Sequence, residues 1–226
     1  AELSTSVTGQ PAPFAAPAFV WDVAIGQSTL VTREAIANLF YRGLVFRRAP
    51  AVGDSLRTVT TIVGLRPASA KPGRPPRGLV TMRIATADQQ GRPVLDFHRC
   101  AMLPARQPDS VGVRGEPEPP QQIMEAAEIA AAIRDWDLAA YRAQVPGPHF
   151  SDLRQGMAFQ LAGGDLVSSA PELARLTMNL ATIHHDGSRD GQRLVYGGHT
   201  IGLAAAQVTR AFPALVTILG WESCDH

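Results

Sequence analysis

The spacing of apolar positions predicts that the first half of the chain is a helix followed by an antiparallel meander. Residues 17–30 place apolar side chains at near-helical intervals, with Gln27 as a polar residue among them. A mostly apolar segment at residues 35–46 follows, and then a turn at residues 49–56. Three strand-like stretches, separated by loops that contain Gly or Pro, come next at residues 57–65, 79–86 and 94–103.

A change in composition marks a boundary after the meander. Residues 107–120 are rich in Pro, Gly and Glu, which is typical of a linker between domains. Residues 121–134 are rich in Ala and Glu and predict a helix on the surface. A second breaker, Pro-Gly-Pro at residues 146–148, precedes residues 150–161, where we expect the first strand of a new unit.

The new unit is predicted to contain two helices and a strand. The segment from Ser169 to Glu172 matches a capping box with Pro in the first turn, which predicts the start of a helix. Glycines open a second, Ala-rich helix at residues 196–212, which we expect to be buried against a sheet. Residues 214–221 predict a strand. The first of these helices has a single apolar stripe at Leu173, Leu176, Leu180 and Ile183.

A short internal repeat relates the two halves of the chain. The sequence VAIGQSTL at residues 23–30 resembles HTIGLAAA at residues 199–206, and each predicted helix is followed by a short apolar segment. Three further strands follow in the first half and none in the second. A half-sheet would leave its helix uncovered and an edge open. We therefore expect the chain to be incomplete at its C-terminus and also at its N-terminus.

Composition and charge exclude several classes of protein. Of the 226 residues, 45% are hydrophobic and 18% are charged, so a substantial core can form. A net charge of +1 provides no basic surface for nucleic acid, and no apolar run is long enough to span a bilayer. The two cysteines are too few for a disulfide framework. We therefore expect a cytoplasmic protein that binds neither nucleic acid nor membranes.

The densest polar chemistry lies between Asn179 and His199, where the chain contains NLATIHHD at residues 179–186 and YGGHTIG at residues 196–202. This region resembles the signature of the MaoC-like, (R)-specific enoyl-CoA hydratases. That signature is an Asp, an Asn-Pro pair, a His five residues after the Asp, and a second Asp two residues later. A loop and a Gly-led buried helix follow.

The resemblance implies roles for individual residues. His184 would be the base that activates water, and Asn179 would orient that water through its amide. Asp186 is a candidate for supplying the carboxylate that the family has at the position of Asn179. An N–H at the start of the Gly-led helix would stabilise the enolate oxygen of the substrate. The implied catalytic residues are therefore His184, Asn179 and Asp186, and the implied oxyanion and substrate-binding residues are Gly197, Gly198 and His199.

The sequence departs from the family signature in three ways. Asn179 stands at the position of the Asp, and no Asn-Pro pair follows it. The last three strands of a second unit of the family's fold, the hotdog, are also missing. An amide cannot accept a proton, and loss of an acid–base partner typically costs about 10²–10⁴ in rate. On a continuous helix, residues five apart lie about 140° from each other. Asn179 and His184 can therefore converge only if the helix ends near Thr182.

The same resemblance implies an α+β fold, the double hotdog, in which each antiparallel sheet wraps around a central helix. The segment PHFSDLRQGM at residues 148–157 is similar to the entry of a hotdog unit. The layout resembles the double-hotdog branch, which includes mesaconyl-CoA hydratase-like and uncharacterised actinobacterial proteins. We expect residues 1–106 to form the later part of an N-terminal unit and residues 107–146 a linker with a surface helix. Residues 147–226 would form the earlier part of an incomplete C-terminal unit that carries the hydratase-like motif.

The function implied by the resemblance is hydration or dehydration of an acyl-CoA with a short or branched acyl chain, by a homodimer that uses no cofactor and no metal. Two alternatives remain open, a non-catalytic acyl-CoA-binding protein and a hotdog thioesterase. At the level of residues, Asn179 could cap a helix end, and His184 and His185 could be solvated loop residues. His184, Asp186 and His199 have side chains of metal-ligating type, but their spacing matches no closed zinc pattern.

Overall fold

The computed structural model describes residues 1–107, 112–119, 125–186 and 193–225. The strands, in chain order, are β1 (Ala37–Phe46), β2 (Arg57–Pro67), β3 (Arg77–Ala87), β4 (Pro93–Pro104), β5 (Arg114–Gly115) and β6 (Gly220–Asp225). They form one six-stranded antiparallel sheet in the order β5-β2-β3-β4-β1-β6. The helices are α1 (Glu2–Thr8), α2 (Pro17–Ser28), α3 (Ala126–Ala130), α4 (Leu138–Gln144), α5 (Ala170–Leu176) and α6 (Gly197–Ala211). None of these described helices is long and apolar enough to cross a membrane.

The alternating segments of the first half form the predicted meander. Strands β2, β3 and β4 pair with one another in sequence order, and each includes its predicted stretch. The apolar segment that precedes them forms β1, which pairs with β4 on the side away from β3. The register of β1 against β4 shifts twice, and Gly43 lies within the second shift with a φ of 58°. Such irregularities bend a strand and re-aim its side chains.

Helix α2 supplies the centre of the hydrophobic core. Trp21 on this helix is fully buried, and its ring makes edge-on contacts with Tyr41 on β1 and Trp221 on β6, at centroid distances of 4.9 and 4.8 Å. Burying one large apolar side chain contributes roughly 1.5–3 kcal/mol to stability. Because the three rings belong to α2, β1 and β6, this cluster joins the two ends of the chain.

The predicted strand at residues 214–221 is wrong in its start. The N–H of Leu215 donates to the carbonyl oxygen of Phe212 in a turn, and regular pairing with β1 begins only at Gly220. Just before the strand, the N–H of Phe46 donates to the carbonyl oxygen of Leu219 at 2.9 Å. The unpaired edge of β1 supplies the hydrogen-bonding groups that β6 needs. Strands from both predicted units thus share one sheet, while the unit boundaries stay a prediction.

Residues 150–161 do not form the predicted strand. Phe150–Asp152 is a 3-10 turn, and the chain that follows is irregular. Phe150 is 92% exposed. A strand needs a neighbour that takes up its backbone hydrogen bonds, and none of the described strands lies beside this segment. Of the helix predicted at residues 121–134, the described part contains α3 and a 3-10 turn, and residues 121–124 lie outside the described residues.

Helix α5 is shorter than the apolar stripe predicts. It ends at Leu176, so Leu180 of the stripe lies beyond the helix. Leu176 is 60% exposed, whereas the smaller residues Ala174 and Thr177 are buried. Close packing of this small face on α2 therefore decides which side of the helix is buried. The predicted capping box does not form, because Ser169 has a left-handed backbone with a φ of 53° and its side chain makes no cap hydrogen bond.

Helix α6 covers the predicted Gly-led segment but is not buried against the sheet. Gly198 is its one buried residue, and the helix packs on α2. A Cβ added to Gly198 would lie 2.0 Å from the Asp22 Oδ1 atom and 2.7 Å from the ring of Tyr196. The expectation of burial against a sheet is therefore wrong for the described structure, and the small residue at this position serves a helix–helix contact instead.

A glycine on α2 allows α5 to approach closely. A Cβ added to Gly26 would lie 1.7 Å from the carbonyl oxygen of Thr177, so the backbone would have to move. We expect Gly26→Ala to lower the free energy of unfolding by about 1–3 kcal/mol, as overpacked sites do. Chemical denaturation followed by circular dichroism measures this change.

Gly202 is the matched control, because it occupies the equivalent position of the internal repeat. A Cβ added there would lie 3.8 Å from the Ala18 Cβ atom, an ordinary contact. Replacing a glycine inside a helix by alanine normally gains up to about 1 kcal/mol. Gly202→Ala should therefore be neutral or stabilising, and equal losses from Gly26→Ala and Gly202→Ala would contradict the close approach.

Asp22 is a buried carboxyl in the middle of α2. Burial raises its pKa from 3.8 to about 7. The Tyr196 hydroxyl lies near enough to oppose this rise, yet neither that oxygen nor the Asp22 Oδ1 atom has a hydrogen-bond partner of full geometry. An unfolded Asp ionises near pH 3.8, so the folded chain holds one more proton than the unfolded chain between about pH 4 and pH 7.

We therefore expect the contribution of Asp22 to stability to be largest below about pH 4 and to decline as the pH rises to about 7, by up to about 4 kcal/mol. Asp22→Asn keeps the shape of the side chain and removes the titration, so its stability should vary less over this range. Urea denaturation of both proteins at about pH 4.5, 6 and 8 measures the difference. The same pH dependence in both proteins would show that Asp22 is ionised throughout.

Candidate active site

A turn at the end of α5 directs the chain back towards α2. The N–H of Asn179 donates to the carbonyl oxygen of Ala174 at 2.8 Å, and Met178 between them has a left-handed backbone with a φ of 57°. This is the Schellman arrangement that ends many helices. The next N–H, that of Leu180, donates to the Thr29 Oγ1 atom at 2.7 Å. The turn is thereby fixed to the C-terminal end of α2.

Asn179 is buried and organises the turn that follows it. Its Oδ1 atom accepts a hydrogen bond from the N–H of Ala181 at 3.0 Å, and its carbonyl oxygen accepts one from the His185 ring. Ala181 is the residue before the 3-10 turn Thr182–His184. The side chain of Asn179 thus has a structural role in positioning this turn, and the group that it caps is an N–H.

His184 is held as a neutral imidazole. Its Nδ1 atom lies 3.0 Å from the carbonyl oxygen of Leu194, and because a carbonyl only accepts, Nδ1 carries the proton and Nε2 keeps its lone pair. Burial lowers the pKa of His184, and the neighbouring charges of His185 and Arg99 lower it further, while the bond to Leu194 opposes them. The ring is therefore uncharged near neutral pH, which is the form that a general base requires.

Asn179 and His184 line the same cavity, which has a volume of about 380 Å³. The end of α2, the start of β1, residues 194–197 and Arg99 on β4 also contribute to its wall. The two residues can converge because α5 ends at Leu176, before the position of Thr182 at which the sequence requires a break. The structure therefore brings together the residues at the Asp and His positions of the family signature.

The first turn of α6 borders this cavity. Gly197 begins the helix and lines the wall, and the ring of the preceding Tyr196 lies 5.5 Å from that of His184 between centroids. The N–H groups in the first turn of a helix have no acceptor within it, so those of Gly197 and Gly198 are free of intrahelical bonds. The helix dipole adds positive potential at this end. Such donors suit a developing negative charge on oxygen.

The remaining predicted residues do not line this cavity. Asp186 is exposed and borders a separate groove with Arg33, His199 lies half-buried on α6, and Gly198 faces Asp22. Within the described residues, no group of three or more His, Cys, Asp or Glu side chains is arranged to hold a metal ion. Three of the six predicted residues therefore line the cavity, namely Asn179, His184 and Gly197.

Three polar residues of the sheet also line the cavity and were not predicted, namely Asn38, Tyr41 and Arg99. Burial raises the pKa of Tyr41 to about 12, so its hydroxyl stays protonated. Arg99 follows the same alternation along β4 as the buried Leu95 and Phe97. A charged residue at a core-facing position of a predicted strand was the signal that could have found it. Asn38 had no such signal, because it adjoins a register shift.

Solved structures with this fold are similar over nearly the whole chain. The chain is 54% identical to RV0216, a conserved hypothetical protein from Mycobacterium tuberculosis with a double hotdog fold, over 100% of this chain and 68% of that chain, with a TM-score of 0.85. A putative MaoC domain protein dehydratase from Chloroflexus aurantiacus gives a TM-score of 0.73 at 23% identity, over 99% of this chain and 67% of that chain, which shows the fold. No family model matches the sequence.

Two curated relatives are named as enzymes of CoA thioesters. Mesaconyl-CoA hydratase from Cereibacter sphaeroides is 30% identical over 188 residues, which are 77% of this chain and 51% of that protein. Beta-methylmalyl-CoA dehydratase from Chloroflexus aurantiacus is 27% identical over 211 residues, 87% of this chain and 57% of that protein. The chain thus spans about half the length of these relatives. Sequence signature, α+β architecture and relatives agree, and the chain belongs to the MaoC-like family of double-hotdog proteins.

Proposed function

We propose that the protein catalyses the reversible hydration of a 2-enoyl-CoA thioester. The observation that carries this proposal is a neutral His184 with an unprotonated Nε2 atom, in the wall of a cavity that also includes the start of α6. A base and a set of N–H donors are the two elements that addition of water to an enoyl thioester requires. The hydratase and dehydratase named above support the same class of reaction.

In the proposed reaction, the His184 Nε2 atom takes a proton from water while the water oxygen bonds to C3 of the substrate. The electron pair of the C2–C3 double bond moves towards the thioester oxygen, which becomes an enolate oxygen. The N–H of Gly197 and the dipole of α6 stabilise this charge. Protonated His184 then donates its proton to C2, which restores the neutral ring and the thioester. One water molecule is added and no cofactor takes part.

Asn179 takes a positioning role in this proposal. Its Oδ1 atom holds the turn that carries His184, and we assign its Nδ2 group to orient the attacking water. Because Asp186 borders a different groove, His184 acts as the base without it. A carboxylate is thus absent from the described wall of the cavity, which distinguishes this site from the Asp–His pair of the family signature.

The substrate that we propose has a short or branched acyl chain. A cavity of about 380 Å³ lies at the lower end of the range for small-molecule sites. The substrates in the names of the two curated relatives, mesaconyl-CoA and beta-methylmalyl-CoA, are short branched acyl thioesters. Assembly as a homodimer and a cytoplasmic location stay predictions.

A non-catalytic acyl-CoA-binding protein is the second candidate function. The observation in its favour is that Asn179 replaces the family's Asp and that its Oδ1 atom is already engaged by the N–H of Ala181. A thioesterase has less support, because none of the described Asp or Glu side chains lines the cavity to activate water at the thioester carbonyl.

Removal of the base tests the proposed reaction. We expect His184→Ala to reduce hydration of crotonyl-CoA and mesaconyl-CoA by about 10²–10⁴, the usual contribution of one acid–base group. Loss of the conjugated enoyl-thioester absorbance measures the rate. His184 is half-buried in a short turn, so the variant should keep the circular dichroism spectrum of the parent.

His98→Ala is the matched control, because His98 is a half-buried histidine of β4 that does not line the cavity. It should keep the rate of the parent. Unchanged turnover in His184→Ala would reject the site. Silence of the parent on both substrates, with CoA thioester binding retained, would favour the non-catalytic alternative.

Asn179→Asp tests the departure from the family signature. A carboxylate can accept the hydrogen bond from the Ala181 N–H as the amide oxygen does, and it adds a proton acceptor beside His184. We therefore expect turnover of enoyl-CoA to rise or to stay the same, in the same absorbance assay. A folded but inactive variant would mean that Asn179 serves a different reaction.

A further inference from the structure

Arg99 is a buried cation that has no carboxylate partner among the described residues. It is 3% exposed, and its guanidinium donates from Nη1 to the Ser28 Oγ atom at 2.6 Å and from Nη2 to the Thr32 Oγ1 atom at 3.1 Å. The Nε atom has no hydrogen-bond partner in the part of the chain that the structure describes. None of the described Asp or Glu residues forms an ion pair with it. Both serine and threonine contacts are neutral, so the positive charge is not compensated.

An uncompensated buried charge is costly, and proteins normally pair such a charge with an anion. A guanidinium has five N–H groups. The two hydroxyl contacts use one N–H on each terminal nitrogen, which leaves the Nε–H and a second N–H on Nη1 and on Nη2. Two parallel N–H donors match the two oxygens of a carboxylate. Arg99 lines the cavity, so an anion that enters it meets the guanidinium, whose Nε atom is itself buried.

The amide of Asn38 lies in the same wall. Both its Nδ2 and Oδ1 atoms are buried, and neither has a hydrogen-bond partner within the described ranges. In the sheet, Asn38 pairs with Ala101 and Tyr41 pairs with Arg99, so the two polar side chains belong to adjacent positions on one face of the β1–β4 pair. Two independent residues that line one cavity with His184 therefore have buried, unsatisfied polar atoms among the described residues.

We propose that Arg99 and Asn38 form a carboxylate-binding subsite and that the acyl group of the natural substrate carries a free carboxylate. This inference rests on the proposed function, because it assigns a substrate class to the same cavity. The guanidinium would bind the carboxylate through its free N–H groups, and the Asn38 Nδ2 group would donate a further bond. Ser28 and Thr32 hold the guanidinium in place before the substrate arrives.

The recognition group is a carboxylate on the acyl chain rather than a phosphate of CoA, and a pair of ligands separates the two. Succinyl-CoA and butyryl-CoA have the same CoA portion and four-carbon acyl chains, and they differ in the terminal carboxylate. Neither has a double bond to hydrate. Calorimetric binding of this pair therefore measures the subsite independently of turnover.

We expect the protein to bind succinyl-CoA roughly 10- to 100-fold more tightly than butyryl-CoA, the range for a charged hydrogen-bonded pair. Arg99→Gln should abolish this preference and leave butyryl-CoA binding within about twofold. Arg83→Gln is the matched control, because Arg83 lies on the neighbouring strand, half-exposed and paired with Asp96, away from the cavity. It should keep the preference of the parent.

Asn38→Asp decides the question if Arg99→Gln does not fold. It keeps the size of the side chain and places a second carboxylate beside the subsite, so succinyl-CoA binding should weaken selectively. Equal binding of the two thioesters by the parent, or equal weakening of both by the variants, would overturn the subsite. A retained preference for succinyl-CoA in a protein that hydrates no enoyl-CoA would support the subsite and reject the proposed reaction.

Discussion

The carbonyl oxygen of Thr177 lies against Gly26 so closely that no side chain fits between them, and the placement of the turn that carries His184 depends on this approach. It brings the end of α5 onto α2, where the Thr29 Oγ1 atom accepts a hydrogen bond from the N–H of Leu180. Asn179 is thereby held in place, and its side chain positions the short turn that carries His184. A close backbone approach and two hydrogen bonds from backbone N–H groups to side-chain oxygens, rather than a run of apolar side chains, thus connect the core helix to His184.

The electrostatics of the site follow from the same burial. Desolvation keeps His184 neutral and keeps Asp22 largely protonated below about pH 7. Arg99, in contrast, has a pKa so high that burial cannot remove its charge. The pocket therefore combines a neutral base with a fixed positive charge, and the N-terminus of α6 adds to that positive potential. An acyl thioester with a free carboxylate would meet positive potential at its carboxylate and at its thioester oxygen.

The sequence predicted those parts of the fold that local periodicity controls. Alternation along β2, β3 and β4 located the meander, near-helical spacing of apolar residues located α2, and the opening glycines and Ala-rich composition located α6. Prediction failed where contacts distant in sequence decide, as at Ser169, whose left-handed backbone prevents the expected cap. Asn179 and His184 were found through their resemblance to a family signature. Arg99 was missed although its charge at a core-facing position of a predicted strand was a local signal, whereas Asn38 was missed because its place in the cavity depends on strand register, which no local pattern contains.

The internal repeat places Trp21 and Asp22 of α2 opposite Gly197 and Gly198 of α6. Helix α2 begins a full turn earlier, at Pro17, so at the repeat-equivalent positions its N–H groups lie inside the helix and are bonded there. The bulky Trp21 and the carboxyl of Asp22 fill the space that the glycines leave open. In the proposed reaction, α6 is therefore the one of these two related helices that would receive the oxyanion. The proposed site would thus bind one thioester for each pair of helices, with α2 as the scaffold for α6.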